Sequence, residues 1–323
     1  MKRKLIISGA LILLLAVILF MGWDLFYSKP ANQVNPYAYN MDSLKAGDTS
    51  LVRYAEVQQI KPGLSKIHGI AAGRLNHIYV SGDSGVEIFD PSGKRLGGFT
   101  LREPGQCIHV DPMGVIYIGM TDHLETYSVS GSHLNTWKSC GENAFITSVA
   151  VNGDDVYVAD AGNKVVYHYN GTGKLLQKIG QKDPEKGIPG FVIPSPYFDL
   201  GVDQKGELWV VNPGRYSFEH YGEEGELISS WGKASMTIDG FCGCCNPTHF
   251  ARLSNGSFVT SEKGIERIKI YTPGGDFRCV VAAPGQFIEG TKGLDLAVDA
   301  DDRILVLDPE KNMIRIFTEK NKH

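Results

Sequence analysis

The residues best suited to metal or redox chemistry lie in one short segment, 240–249, which reads Gly-Phe-Cys-Gly-Cys-Cys-Asn-Pro-Thr-His. Its cysteines Cys242, Cys244 and Cys245 fall within four positions and lead directly to His249. Thiolate and imidazole are ligands that transition metals such as zinc, copper and iron accept in proteins. The segment is therefore a candidate metal or redox centre.

Structural disulfides and reactive thiols are the alternatives for the same residues. The chain has six cysteines, and its N-terminal sequence predicts export to an oxidising compartment, where thiols usually pair. Three cysteines cannot all pair among themselves, so one of them needs Cys140, Cys107 or a ligand. Cys279 lies in an apolar run, Phe-Arg-Cys-Val, and is predicted to be a buried core residue.

A repeat of short β-rich runs must position these residues. The second run of each repeat is the clearest, and these runs start at Ile78, Ile116, Val156, Leu208, Phe258 and Ile304. Each is preceded by an apolar run and a tight turn, and is followed by a third run that ends in an aromatic residue. A hairpin with a glycine then leads to a fourth strand. Six such units predict an all-β six-bladed β-propeller over residues 51–323.

The last unit stops before a fourth strand, whereas residues 54–60 form a β-rich run without a unit of its own. A ring of repeats must close, because an open strand edge is a liability. The N-terminal run is therefore predicted to supply the outer strand of the sixth blade.

The sequence also resembles NHL-repeat propellers, over about residues 54–320. The resemblance rests on first strands such as Leu-Ala-Val-Asp at 296–299, and on Tyr157, Val158, Ala159, Asp160, Asn163, Val165 and Tyr167. It implies the propeller fold. NHL-like propellers include interaction scaffolds, a few hydrolases and a zinc-dependent lyase, so the resemblance leaves the function open.

The repeat is expected to bring distant polar residues to one level of the central channel. The residues immediately before the apolar part of each first strand are Gly69, Cys107, Ser148, Asp199, His249 and Asp295. Innermost strands line the channel of a propeller, so these residues are expected to form a ring at its mouth. The predicted metal ligands are Cys107, Asp199, His249, Asp295, Cys242, Cys244 and Cys245. Capping of backbone amides is the alternative role for the two aspartates.

Longer connections lie at 181–197, 232–248 and 282–293, each between a fourth strand and the next first strand. They are expected on the face where the ring opens, which makes this face the predicted working surface and the site of a protein partner. The turns that follow second strands, 212–215 and 261–264, are expected on the opposite face.

The first 27 residues differ from the rest of the chain. Lys2, Arg3 and Lys4 precede an apolar run of 17 residues, 5–21, which as a helix is about 26 Å long. No small-residue cleavage site follows. The sequence predicts a single-pass transmembrane signal anchor over 1–27, a linker over 28–50, and a propeller on the periplasmic or extracellular side. A cleaved signal peptide is the alternative.

Composition and motifs exclude several classes of function. The 323 residues carry a net charge of -4, and no basic segment predicts nucleic-acid binding. No phosphate loop or Gly-x-Ser-x-Gly elbow is present. We therefore predict a membrane-anchored binding or scaffold propeller, non-enzymatic, with a candidate metal or redox site at the channel mouth. The alternative is a metal-dependent hydrolase or lyase that uses the channel.

Overall fold

The protein is described from a computed structural model that covers residues 2–27, 48–203 and 205–320. The chain divides into two compact units, 1–41 and 42–323. The described residues of the first unit form one helix, α1 (Lys2–Tyr27), which runs through the basic start and the apolar run without interruption. In the described part of the chain, no helix combines the length and the apolar character needed to cross a membrane. The membrane anchor therefore stays a prediction.

The second unit is an all-β six-bladed propeller: its described residues form six antiparallel sheets of four strands each. Strand β1 (Tyr54–Ile60) comes first in the chain and belongs to the sixth blade. Blade 1 contains β2 (Ile67–Ala72), β3 (Ile78–Gly82), β4 (Gly85–Phe89) and β5 (Arg95–Thr100), and blade 2 contains β6 (Cys107–Val110), β7 (Ile116–Gly119), β8 (Leu124–Tyr127) and β9 (His133–Thr136). Blade 3 contains β10 (Ile146–Asn152), β11 (Asp155–Asp160), β12 (Val165–Asn170) and β13 (Leu175–Ile179), and blade 4 contains β14 (Leu200–Val202), β15 (Leu208–Asn212), β16 (Ser217–Tyr221) and β17 (Leu227–Trp231). Blade 5 contains β18 (His249–Arg252), β19 (Phe258–Glu262), β20 (Arg267–Tyr271) and β21 (Phe277–Ala282), and blade 6 contains β22 (Asp295–Val298), β23 (Ile304–Asp308) and β24 (Met313–Glu319). Short 3₁₀ turns lie at Thr49–Leu51, Arg74–Asn76, Pro213–Arg215 and Pro284–Gln286.

The hydrophobic core lies between adjacent blades. Ile78 and Val80 of blade 1, for example, share one cluster with Leu305 and Ile314 of blade 6. Second strands such as β15 and β23 are buried along their whole length, because a blade packs against a neighbour on each face. A strand that is buried on both faces needs apolar side chains on both faces, which explains why these runs are continuously apolar instead of alternating. Outer strands such as β9 are exposed and polar.

The N-terminal strand closes the ring as predicted. Strand β1 pairs antiparallel with β24, from Tyr54 opposite Glu319 to Ile60 opposite Ile314. The buried guanidinium of Arg315 reinforces this pairing, because its Nη2 lies 2.5 Å from Oε2 of Glu56 in β1. The first and last parts of the propeller are therefore joined by backbone hydrogen bonds and by a partly buried ion pair.

The predicted glycines of the outer hairpins are needed for two reasons. Gly173, between β12 and β13, has a φ of 83°, which favours glycine. A Cβ at this position would also lie 2.9 Å from the ring of Trp137, which follows the outer strand of the preceding blade. Each hairpin of this kind can therefore approach its neighbouring blade closely.

One prediction about the faces of the propeller was wrong. The turns 212–215 and 261–264 lie on the same face as the long connections, because each second strand runs antiparallel to its first strand and so ends on the face where the first strand began. Asn212 Oδ1 accepts a hydrogen bond from the amide of Val192, and Lys263 Nζ donates one to Ser195 Oγ at 3.2 Å. We call this shared surface the long-connection face.

Candidate functional site

The ring predicted at the channel mouth is in register in all six blades. In five blades the ring residue pairs with the fourth residue of the predicted second run. The pairs are Gly69 with Ser81, Cys107 with Gly119, Ser148 with Ala159, His249 with Ser261, and Asp295 with Leu307. In blade 4 the carbonyl of Asp199 accepts a hydrogen bond from the amide of Val211, which is the equivalent position. Counting residues along the repeat therefore identified equivalent positions correctly.

Three of the predicted ligands come together from three consecutive blades. His249 Nδ1 lies 3.4 Å from Asp295 Oδ1 and 3.8 Å from Asp199 Oδ2. The side chains of these three residues are largely buried, with 12% of His249 exposed. The two distances are longer than those of strong hydrogen bonds, so the contact between imidazole and carboxylates is mainly electrostatic.

The two carboxylates are fixed by backbone amides. Asp199 Oδ2 accepts from the amide of Phe250 at 2.8 Å, and Asp295 Oδ2 accepts from the amide of Ile70 at 2.9 Å. The other carboxylate oxygen, Oδ1, accepts a hydrogen bond from the amide of the following residue, which is Leu200 for Asp199 and Leu296 for Asp295. Each aspartate therefore ties its blade to the first strand of the next one, as the capping alternative predicted.

Burial dominates the protonation of the ring. It raises the pKa of Asp199 to about 6; His249 opposes this rise and Asp295 adds to it. Burial also raises the pKa of Asp295, again against the effect of His249. The pKa of the Cys107 thiol is raised by burial and, to a smaller extent, by the same two carboxylates. Cys107 is therefore a neutral thiol beside the two acids rather than a thiolate.

The Cys-rich loop (242–245) does not complete a metal site with the ring. Cys242 and Cys245 are buried, with 5% and 2% exposed, whereas Cys244 is exposed. Among the described residues, no group of three or more His, Cys, Asp or Glu side chains is arranged to hold a metal ion. The metal site predicted from Cys107, His249 and this loop therefore has no preformed ligand set.

The disulfide alternative has no support in the structure either. All six cysteines lie in the described part, and each is a free thiol. Cys140 contacts blade 3, where its Sγ lies 3.3 Å from the hydroxyl of Tyr169. Cys279 is buried in the core of blades 5 and 6, as predicted.

Two residues at the mouth were missed in the sequence. The ring of Tyr197 lies edge-on to His249, with centroids 5.9 Å apart, and Lys263 Nζ lies over the Tyr197 ring at 5.2 Å. The sequence contained a signal for Tyr197, which ends a Pro-rich loop two positions before Asp199. Lys263 was missed because its turn was expected on the opposite face.

A buried charged group behind the Cys-rich loop was also missed. Lys269 is fully buried, pairs with Glu262, and donates to the carbonyls of Gly240 at 2.6 Å and Ile238 at 3.1 Å. Burial lowers the pKa of Lys269 to about 8, although Glu262 opposes this. The signal was a lysine at an inward position of the apolar strand β20. Its ammonium holds the start of the loop to the blade.

The channel next to the ring is small. The first strands of all six blades line a cavity of about 300 Å³, and His109 and Arg252 are among the lining residues. Burial lowers the pKa of His109 to about 4, so its imidazole is neutral near pH 7. A cavity of this volume is at the lower limit for a site that encloses a small molecule. The exposed surface at the mouth therefore offers more room for recognition than the channel does.

Comparison with known proteins supports the fold. No protein-family model matches the chain, and no curated protein matches it in sequence. A solved streptogramin B lyase is similar at a TM-score of 0.59 and 10% identity, over 83% of this chain and 98% of that one. A virginiamycin B lyase from Staphylococcus aureus is similar at 0.57 and 11% identity, over 83% of this chain and 100% of that one. A Bacteroides thetaiotaomicron protein of unknown function is similar at 0.59 and 14% identity, over 83% and 72%. At these identities the likeness is one of fold, and the NHL family stays a resemblance.

Proposed function

We propose that this chain is a binding propeller whose partner docks on the long-connection face, around the channel mouth. The observation that carries the proposal is the convergence of separate elements on His249. The connection before blade 4 contributes Tyr197, the turn of blade 5 contributes Lys263, and blades 4 and 6 contribute the two carboxylates. Loops that converge on a rigid scaffold are typical of binding sites.

The fixed imidazole supports this proposal. His249 Nδ1 faces the two carboxylates, and no residue of the described part engages Nε2 in a hydrogen bond or ion pair. Because backbone amides hold both carboxylates, the imidazole is oriented before a partner arrives. Preorganised polar groups cost less to order on binding than flexible ones do.

Exposed apolar residues on the same face also support it. Val192 and Ile288 lie in the connections before blades 4 and 6, and are 40% and 47% exposed. An apolar surface around a few fixed polar groups is a common composition for a protein interface. A protein partner is therefore our preferred occupant of this face.

Zinc, copper or iron at the mouth remains a prediction. All four carboxylate oxygens of Asp199 and Asp295 already accept backbone amides, and the described residues contain no preformed ligand set. These residues do not fit a resident metal in the present arrangement, so we derive no chemical step through one.

A hydrolase or lyase that uses the mouth is the second candidate. An imidazole whose Nδ1 is oriented by a carboxylate can act as a general base through Nε2, and His249 has this arrangement with Asp295 at 3.4 Å. Under this alternative, His249→Ala would abolish turnover of a bound substrate while leaving its binding within a few-fold. Under the binding proposal, a bound partner is recovered chemically unchanged.

We also propose that the N-terminal helix anchors the chain and that the propeller lies on the periplasmic or extracellular side. The basic residues before the apolar run and the uninterrupted helix Lys2–Tyr27 support this location. An alkaline phosphatase fused after residue 50 should be active and remain in the membrane fraction. A shortened product released in soluble form would show a cleaved signal peptide instead.

Photo-cross-linking tests the binding proposal, because it captures a partner of any identity. A photoreactive amino acid at Val192 or Ile288 of the full chain, in its own cells, should form a discrete cross-linked product. Met113 provides the control, because it is 84% exposed in the turn between β6 and β7, on the opposite face. Cross-linking at Met113 and none at the other two positions would refute the proposal.

A further inference from the structure

We propose that the Cys-rich loop is a thiol–disulfide exchange site, in which Cys244 reacts with an external disulfide and Cys242 then closes a disulfide within the loop. The inference goes beyond the proposed function, since the thiol chemistry does not require the docked partner. The observation behind it is a cluster of three free thiols with unequal exposure on the long-connection face.

Exposure assigns the attacking thiol. Cys244 is exposed, whereas Cys242 and Cys245 are buried, with 5% and 2% exposed. The other three cysteines are far less suited to this role: Cys107 and Cys279 are buried, and Cys140 contacts Tyr169. Exchange requires that a thiolate reach the sulfur of the oxidant, so Cys244 is the residue that an external disulfide meets first.

Loop geometry assigns the second thiol. Cys244 and Cys245 are joined by a trans peptide, so their Cα atoms are about 3.8 Å apart, which is less than the 4.4–6.8 Å usual for a disulfide. Cys242 is two residues away, with Gly243 between them at a φ of 73°. Asn246 Nδ2 donates to the carbonyl of Cys242 at 2.6 Å, which shows that the chain turns back across the loop. Cys242 is therefore the better resolving thiol.

The proposed reaction is balanced by the external disulfide. The Cys244 thiolate attacks one sulfur of the oxidant, forms a mixed disulfide, and releases the other half as a thiolate. The Cys242 thiol gives its proton to water and attacks the Cys244 sulfur, which displaces the second thiolate. Two protein thiols are oxidised, and one external disulfide is reduced to two thiols.

The loop is held at both ends, so oxidation would rearrange only its middle. Lys269 Nζ binds the carbonyl of Gly240 before the loop. After the loop, Asn246 Oδ1 accepts a hydrogen bond from the amide of Lys263, and Asn246 Nδ2 donates one to the carbonyl of Lys263, both at 2.9 Å. Lys263 also lies over Tyr197, so the residue that holds the end of the loop is shared with the channel mouth.

Glutathione provides the test. The full chain is equilibrated with mixtures of reduced and oxidised glutathione, its free thiols are alkylated, and its peptides are mapped by mass spectrometry. We expect the wild type to lose two thiols and gain one disulfide, between Cys242 and Cys244, reversibly with dithiothreitol. Cys244→Ser should slow this loss at least tenfold. Cys242→Ser should accumulate a mixed disulfide with glutathione on Cys244, and Cys279→Ser should behave as wild type.

Other results would overturn the inference. These are six thiols that stay free, a disulfide that includes Cys107, Cys140 or Cys279, a link from Cys245 to either Cys242 or Cys244, and oxidation of Cys244→Ser at the wild-type rate. Cys244 is exposed, so its serine variant remains a fair test even if the variant of buried Cys242 fails to fold. Cross-linking at Val192 is a separate readout, so failure here leaves the binding proposal to its own test.

Discussion

At the residue scale, the two ring aspartates combine a structural role with an unfavourable charge. Each carboxylate caps two amides and joins neighbouring blades, which favours the ionised form. Burial outweighs this effect and raises the pKa of both groups. Holding His249 between them therefore has a cost in stability at neutral pH, which is a common feature of functional sites.

This cost predicts a pH-dependent effect of Asp199→Asn. The pKa of Asp199 is about 6 in the folded protein against an ordinary value of 3.8, so its favourable contribution is complete below pH 3.8 and is lost as the pH rises through 6. From pH 4 to pH 7, the wild type should lose stability relative to the variant, by about 1 kcal/mol or more, since one pKa unit corresponds to about 1.4 kcal/mol. Chemical denaturation at both pH values measures this difference.

Ser81→Ala is the matched control for this experiment, because it removes a buried hydroxyl opposite the ring position Gly69 that does not contribute to the pKa shift of Asp199. Its difference from wild type should be the same at pH 4 and pH 7. A difference between wild type and Asp199→Asn that does not change with pH would contradict the assignment of a raised pKa to Asp199.

At the element scale, the start of the Cys-rich loop depends on strand β20. Lys269→Met removes the donor to two loop carbonyls and one partner of Glu262, which is itself fully buried. Breaking a buried ion pair typically costs 3–5 kcal/mol, and the lower end of this range applies here because Glu262 keeps its pairing with Arg267 at 2.9 Å. We therefore expect a loss of stability of about 3 kcal/mol, measured by denaturant unfolding, and faster hydrogen exchange of the amides at 238–245. The exposed Lys178→Met on β13 should change neither quantity, and equal effects of both variants would refute this role of Lys269.

Closure of the ring depends on strand β1. A chain that lacks residues 1–60 exposes the edge of β24 and leaves Arg315 without Glu56. We expect this truncation to be destabilised and to associate, since an open edge strand promotes pairing with other chains. Thermal unfolding and light scattering measure both effects. A control that lacks only residues 1–50 should stay folded and monomeric, and identical behaviour of the two truncations would contradict closure by β1.

At the scale of the whole molecule, the repeat made much of the structure predictable. The apolar runs predicted the strands, their number predicted six blades, and the short sixth unit predicted closure by residues 54–60. The ring was predictable because strand register repeats from blade to blade, so that His249 and Asp295 could be aligned by counting.

The rest of the site was not predictable because connections do not follow the repeat. Nothing in the spacing of residues 232–248 indicates that Cys242 and Cys245 are buried while Cys244 is exposed. The contact of Lys263 with Tyr197 depends on which face a turn occupies, and that turn lies on the face opposite to the one predicted. The fold and the ring positions follow from the periodicity of the sequence, whereas the arrangement of side chains at the channel mouth depends on how particular loops pack.

The proposed site depends on one arrangement of blades 4, 5 and 6: His249 Nδ1 faces the carboxylates of Asp199 and Asp295, which leaves Nε2 for a ligand. A neutral imidazole carries one proton, so that proton should reside on Nδ1. Long-range ¹H–¹⁵N NMR of the histidine-labelled chain measures this directly, with His249→Gln used to assign the signal and Asp295→Asn to perturb it. We predict an Nδ1-protonated ring in the wild type and a changed pair of nitrogen shifts in Asp295→Asn. A wild-type signal from neutral His249 with its proton on Nε2 would contradict the site.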